Sequence, residues 1–102
     1  MASKSKAKGN RIEREVVNIF KEYGYECQRA YGSDGRAMGE HEEVDVKAII
    51  KNEKFKIQVK GRKAIADYLK PNTDVVNAQI LKEDRMPPYI VMVLKDFLEM
   101  IR

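Results

Sequence analysis

The chain has 102 residues and a mass of 11.8 kDa, with 43% hydrophobic and 35% charged residues, three prolines and six glycines. That length supplies one core, and the composition is too apolar for a disordered chain and too charged for a membrane span. The longest uncharged apolar run, Pro87 to Leu94, falls far short of the roughly 20 residues a bilayer requires. Residues 1–9 carry no apolar signal segment. A lone cysteine, Cys27, excludes an internal disulfide and a thiolate metal cage, and points to a reducing cytoplasm.

The formal charge of +4 and pI of about 9.2 are unevenly spread. Lys4, Lys6, Lys8 and Arg11 precede any acid, and Lys54, Lys56, Lys60, Arg62 and Lys63 form a second run without one. Between them lie Asp34, Glu40, Glu42, Glu43 and Asp45. Two basic stretches around a carboxylate cluster suit a protein that grips a polyanion and holds a cation beside it, although charge runs are commonly solvated faces.

In chain order, residues 1–9 are small, basic and aperiodic, and read as a flexible arm; residues 10–102 read as a single domain. Ile12, Val16, Ile19, Phe20 and Tyr23 recur at helical spacing, with Asn10 as N-cap and Gly24 as stop, which predicts a helix over 10–23. Residues 25–31 read as a strand, and 32–42 as a mobile loop carrying Gly32, Gly35 and Gly39. Alternating runs over 43–50 and 54–60 predict a β-hairpin, with Val44, Val46, Ala48, Ile50, Phe55, Ile57 and Val59 on one face. A turn at Asn52-Glu53 pairs Lys51 with Lys54 and puts Asp45 opposite Lys60, with Gln58 diagonal. Thr73 or Asn72 caps a second helix running to Asp84, striped by Val76, Ile80 and Leu81. Residues 89–94 read as a strand covered on both faces, and 96–101 as a short closing helix.

The hairpin's polar face offers a carboxylate at Asp45, an amide oxygen at Gln58 and an ammonium at Lys60. The two oxygens suit a hard divalent cation, and the lysine suits an attacking water or charge developing on a phosphate. One Asp and one Gln hold Mg2+ weakly, and Glu13 is the candidate second carboxylate, because it falls inside the apolar stripe of the first helix. Asn10-x-x-Glu13 also has the spacing of a capping box. Taken with a cation short of ligands on the sheet this helix must cover, the ligand role is favoured. His41, among glutamates in a loop, reads as solvated, and Cys27 as a packing residue. Tyr31 could stack on an unpaired base. Arg62 and Lys63, just beyond Lys60, and Arg11 and Arg14 on the first helix are candidates for phosphate contacts.

Asp45, an interval of 12 residues, and Gln58-Val59-Lys60 resemble the D…(E/Q)xK signature of the PD-(D/E)xK nuclease superfamily. More narrowly, Ile12-Glu13-Arg14-Glu15-Val16-Val17 and Arg29-Ala30-Tyr31-Gly32-Ser33 are similar to archaeal-type Holliday junction resolvases and their phage relatives, and the stretch from Tyr89 to Leu98 is similar to the phage branch. The resemblance covers about residues 9–102. It implies an α/β nuclease core of a helix, a three-stranded meander, a helix, a strand and a short C-terminal helix. It implies Glu13, Asp45 and Gln58 as metal ligands, Lys60 as the catalytic lysine, and Arg29 and Ser33 as groups acting on the scissile or a neighbouring phosphate. The sequence departs from the family in having Gln58 where glutamate is usual, and a longer 32–42 segment.

The expected function is that of a Mg2+-dependent endonuclease, with Mn2+ able to substitute, that resolves four-way DNA junctions. Its partners are branched or duplex DNA and a second copy of the chain, with no membrane and no small-molecule cofactor. It is expected in the cytoplasm, or in the host cytoplasm if phage-encoded. The alternatives are a phage nuclease that cuts branched or ordinary duplex without junction preference, and a DNA-binding module whose Gln58 has abolished cleavage.

Overall fold

A computed structural model describes residues 4–30 and 40–102. The elements in chain order are α1 (Lys4–Glu22), β1 (Cys27–Arg29), β2 (Val46–Ile50), β3 (Glu53–Ile57), a 3-10 turn (Asp67–Leu69), β4 (Gln79–Leu81), β5 (Tyr89–Val91) and α2 (Leu94–Ile101). The protein is thus α/β: a helix, an antiparallel meander β1-β2-β3, a β4-β5 hairpin and a C-terminal helix. The chain groups into two compact units, Met1–Gly61 and Arg62–Arg102. No helix among the described residues is long and apolar enough to cross a membrane.

In the first unit, α1 begins at Lys4 and takes in residues 4–9 of the expected arm. Lysine and alanine are good helix formers, so a helix nucleated by its apolar stripe extends backward through Lys4, Lys6, Ala7 and Lys8 without needing a stripe there. Asn10 is therefore inside the helix, not its cap. The C-terminal stop is as expected. Gly24 takes φ of 87°, its N–H donates to the Lys21 carbonyl at 2.9 Å, and the Tyr25 N–H donates to the Phe20 carbonyl at 3.0 Å. This is the Schellman pattern, and its usual apolar contact is present as an edge-to-face pair of Phe20 and Tyr25 at 6.2 Å. Val17 and Phe20 of α1, Cys27 of β1, and Val46 and Ala48 of β2 form the buried core of this unit.

The meander pairs Cys27 with Ala48 and Arg29 with Val46, and Val46 with Ile57 through Ile50 with Glu53. The β2-β3 register differs by two residues from the expected one. The turn is Lys51-Asn52, both with positive φ (53° and 69°), as a two-residue primed hairpin turn requires. Asn tolerates that conformation and takes the second turn position. Because side chains alternate with period two, a slip of two leaves each residue on its expected face. Lys60 no longer lies opposite Asp45, and Phe55, on the apolar face, is 44% exposed.

In the second unit the helix expected over 73–84 does not form. Asn72 does cap a turn: its carbonyl accepts the Val75 and Val76 N–H groups, and its side-chain oxygen accepts Asp74 N–H at 3.2 Å. That turn then ends, since the β-branched pair Val75-Val76 and Asn77 are weak helix formers. Gln79 to Leu81 instead pair with Val91 to Tyr89. The strand expected to be covered on both faces is the open half of this hairpin, with Tyr89 62% and Ile90 61% exposed. α2 starts two residues earlier than expected and buries Leu98 completely.

Candidate active site

Four chain segments of the first unit carry Glu13, Arg29, Asp45 and the pair Gln58 and Lys60. Past the last ladder pair, the Asp45 N–H donates to the Ile57 carbonyl at 2.8 Å, and the Asp45 carbonyl accepts the Ala30 N–H at 2.9 Å. Asp45 is thus gripped between β1 and β3. Its carboxylate is aimed by the chain that follows β3, because Oδ2 accepts the Val59 N–H at 2.7 Å. Val59 lies between Gln58 and Lys60, both exposed, so carboxylate, amide and ammonium belong to one short stretch of surface. This contact comes from the backbone leaving the ladder after Ile57, and not from the cross-strand pairing expected.

Glu13 is half-buried and makes an ion pair with Arg29 of β1, whose Nε donates to Oε1 at 3.1 Å. The Arg29 Nη2 donates to Asn10 Oδ1 at 2.8 Å. The capping alternative for Glu13 is thereby set aside: Asn10 is one turn along the same helix face, and both side chains go to Arg29. The backbone joins this group to the first. Arg29 pairs with Val46, next to Asp45, and Gly61, next to Lys60, lies against α1 at Ile12. A Cβ on Gly61 would stand 2.2 Å from Ile12 Cδ1, so a larger residue there would have to push the end of the Ile12 side chain aside, and glycine lets the segment after Lys60 lie against the helix beside Glu13 as it is.

Among the described residues no group of three His, Cys, Asp or Glu stands together. The candidate donors are carboxylate and amide oxygens, which by chemistry fit a hard divalent cation with Gln58 making up the set. Arg11 and Arg14 are exposed on α1, and Arg62 and Lys63 are exposed at the start of the second unit. Ser33 and Tyr31, with most of the 32–42 segment, lie outside the described residues. His41 is exposed and its Nδ1 accepts the Glu43 N–H at 3.0 Å, in keeping with a solvated loop residue. Cys27 is buried, and burial pushes its thiol above its ordinary pKa against the pull of Lys21.

Two roles differ from those the sequence suggests: Asn10 reads there as a cap, and Glu40 as one of five acids in a cluster beside a cation. Glu40 is 6% exposed, with Lys54 Nζ at 2.6 Å, Lys47 Nζ at 3.4 Å and Lys56 Nζ at 3.9 Å. Lys47, Lys54 and Lys56 share the face of the hairpin opposite the core, and a side-by-side set of ammonium groups needs an anion. That alternation was the available signal. The hydrogen bond from Lys54 above all, then the charges of Lys54 and Lys47, hold the Glu40 carboxyl below its usual range against the effect of burial. A depressed carboxyl pKa stabilises the fold above the unfolded value, near 4.5, and that contribution is lost as pH falls through the lower folded value. Glu40→Gln is expected to lower the thermal midpoint at neutral pH, with the gap to the parent protein closing as pH falls below about 4.5. Melting curves by circular dichroism across that range check this, and a gap independent of pH contradicts it.

The family model described as archaeal Holliday junction resolvase (hjc) matches residues 4–92, a span that contains every candidate residue named above. No curated protein and no solved structure matches the chain.

Proposed function

Because the chain belongs to the archaeal Holliday junction resolvase family, we propose that it is a divalent-metal-dependent endonuclease selective for four-way DNA junctions. The observation that carries this reading is the Asp45 carboxylate held by the Val59 N–H, between Gln58 and Lys60. In this reading Asp45, Gln58 and Glu13 hold Mg2+, or Mn2+ in its place. A cation bound there supplies Lewis-acid polarisation of the scissile phosphate. Lys60 donates a hydrogen bond to the charge that develops on the phosphate oxygens as water attacks phosphorus. The water loses a proton to solvent and displaces one sugar oxygen, which leaves with its P–O bond broken and takes up a proton. Arg29 and Ser33 contact the scissile or a neighbouring phosphate, while Arg11, Arg14, Arg62 and Lys63 add to the neutralisation of DNA phosphates.

Incubation of the protein and Mg2+ with an end-labelled four-way junction, beside a linear duplex of the same sequence, tests the proposal. Paired symmetric nicks in the junction alone are expected. Equal cutting of the linear duplex would replace it with a general duplex nuclease. Binding without nicks would favour a DNA-binding module, the second reading, for which the missing charge at Gln58 speaks. Under the nuclease reading, Gln58→Glu restores a carboxylate ligand and keeps activity while lowering the Mg2+ needed for half-maximal rate on the order of tenfold. A Mg2+ titration of the cleavage rate checks this, and a large loss of activity would mean that Gln58 is not a ligand.

Two symmetric nicks need two sites, and each chain has one Asp45/Lys60 pair. The functional unit in this reading is a homodimer, the commonest closed assembly. Its support is the apolar surface of the second unit, where Val75, Ile80, Tyr89, Ile90 and Met100 are each more than 60% exposed. Sedimentation equilibrium at micromolar concentration is expected to give twice the 11.8 kDa chain mass. A monomer with and without junction DNA would overturn both the dimer and symmetric resolution.

A further inference from the structure

We infer that Asn10 is a positioning residue for Arg29: with Glu13 it clamps the side edge of the guanidinium and leaves the outer edge presented to a DNA phosphate. This rests on the nuclease reading for what Arg29 meets, but the clamp itself rests on geometry. Asn10 and Glu13 are three residues apart on α1, hence neighbours on one helix face. One accepts from Nη2 at 2.8 Å and the other from Nε at 3.1 Å. Nε–H and the inner Nη2–H lie along the same side of the planar fork, so two acceptors one turn apart fix the plane of the guanidinium as well as its place. Among the described residues nothing is bonded to the Nη1 end of the fork, the edge assigned to the phosphate. Arg29 is anchored from the other side by its strand, opposite Val46 and next to the residue whose N–H binds the Asp45 carbonyl. Its free edge therefore belongs to the same end of the sheet as Asp45.

The sequence is consistent with a purpose other than helix stability. Asparagine is a poor residue for a helix interior, and here it follows Gly9, which is poorer still. Its side chain is spent on Arg29. Glu13 alone would hold one N–H of the fork and leave the guanidinium free to swing about that bond. A carboxylate paired in this way is also kept pointing toward β1, where its second oxygen remains a candidate for the cation.

The test uses the full chain labelled with nitrogen-15, the acceptor-free variants Asn10→Ala and Asn10→Leu, and Asn10→Asp, which keeps an acceptor oxygen at the same position. In the parent protein the Arg29 Nε–H resonance, assigned from Arg29→Lys, is expected to be sharp and to shift when a short metal-free DNA duplex is added. In Asn10→Ala and Asn10→Leu it is expected to broaden and lose that shift, whereas Asn10→Asp retains both. Single-turnover cleavage of the junction with Mg2+ falls about tenfold to a hundredfold in the acceptor-free variants, is restored in Asn10→Asp, and in an Arg29→Ala background is not lowered further. Melting temperatures should stay near the parent value, since alanine and leucine are better helix formers than asparagine. An unchanged Arg29 resonance in both acceptor-free variants overturns the clamp. A cleavage loss undiminished in the Arg29→Ala background overturns positioning through Arg29. If the parent protein cuts no DNA with Mg2+ or Mn2+, the nuclease reading fails separately, and the resonance shift with duplex still decides whether Asn10 presents Arg29 to phosphate.

Discussion

Asp45→Ala is expected to reduce single-turnover cleavage of a four-way junction by about 10³-fold or more, while the dissociation constant for the same junction changes by less than about threefold. The chemistry depends on one carboxylate, but the grip on DNA is shared by many of the 20 lysines and arginines of the chain. Alanine also leaves the Val59 N–H without its acceptor, so the segment carrying Gln58 and Lys60 loses its tie to β2. Asp45→Asn separates these effects: an amide oxygen can still accept from Val59, so the segment stays in place while the charge is gone. Both variants should be inactive if the charge does the work. Lys60→Ala, at an exposed position with no ion pair or hydrogen bond to another described residue, is expected to fall about 10²- to 10³-fold in rate with similarly small change in affinity. Fluorescence anisotropy in EDTA and gel-resolved cleavage in Mg2+ check the two quantities side by side. A loss of binding that matches the loss of cutting would move Asp45 and Lys60 from chemistry to DNA grip.

Phe20→Ala is expected to destabilise the first unit by about 3–5 kcal/mol. Phe20 is 1% exposed and sits at the junction of the α1 stop with the sheet, where it also makes the edge-to-face pair with Tyr25. Loss of that pair adds about 0.5–1.5 kcal/mol to the effect of the cavity. A domain of this size has a total stability of about 5–15 kcal/mol, so the variant should lose a large share of it and unfold at much lower urea than the parent. Phe20→Leu keeps most of the volume and should lose less than half as much. Urea titrations followed by circular dichroism measure both. A Phe20→Ala effect below about 1 kcal/mol would mean that the helix is not packed on the sheet through this ring.

Much of the candidate site was legible because it depends on periodicity. The apolar stripe of α1 and the glycine that stops it, the two faces of the β2-β3 hairpin, and the residue types at Asp45, Gln58 and Lys60 are properties of local spacing. Even the misplaced turn did no harm to the faces: with Lys51 and Asn52 in the positive-φ turn the ladder moved by two residues, and a period of two is blind to that shift. The second unit was less legible for the same reason. Val76, Ile80 and Leu81 fit a helix as well as a strand, and the decision fell to the partner strand Tyr89–Val91, whose pairing across the Met86-Pro87-Pro88 connection no local pattern announces.

Which residues carry polar chemistry, and which faces they share, follows from local spacing, since alternation and helical period are properties of the backbone. What those side chains hold depends on contacts between distant parts of the chain. Glu13 meets Arg29 across 16 residues of chain, Asn10 meets it across 19, and Asp45 reaches Val59 across 14. Glu40 is one acid in a local cluster of five in the sequence and becomes the buried counter-charge of three lysines because the hairpin folds beneath it. Charges and amides of this kind have many possible partners within reach of an unfolded chain. The path of the backbone picks one, since a polar group taken out of water must find its partner where the fold leaves it.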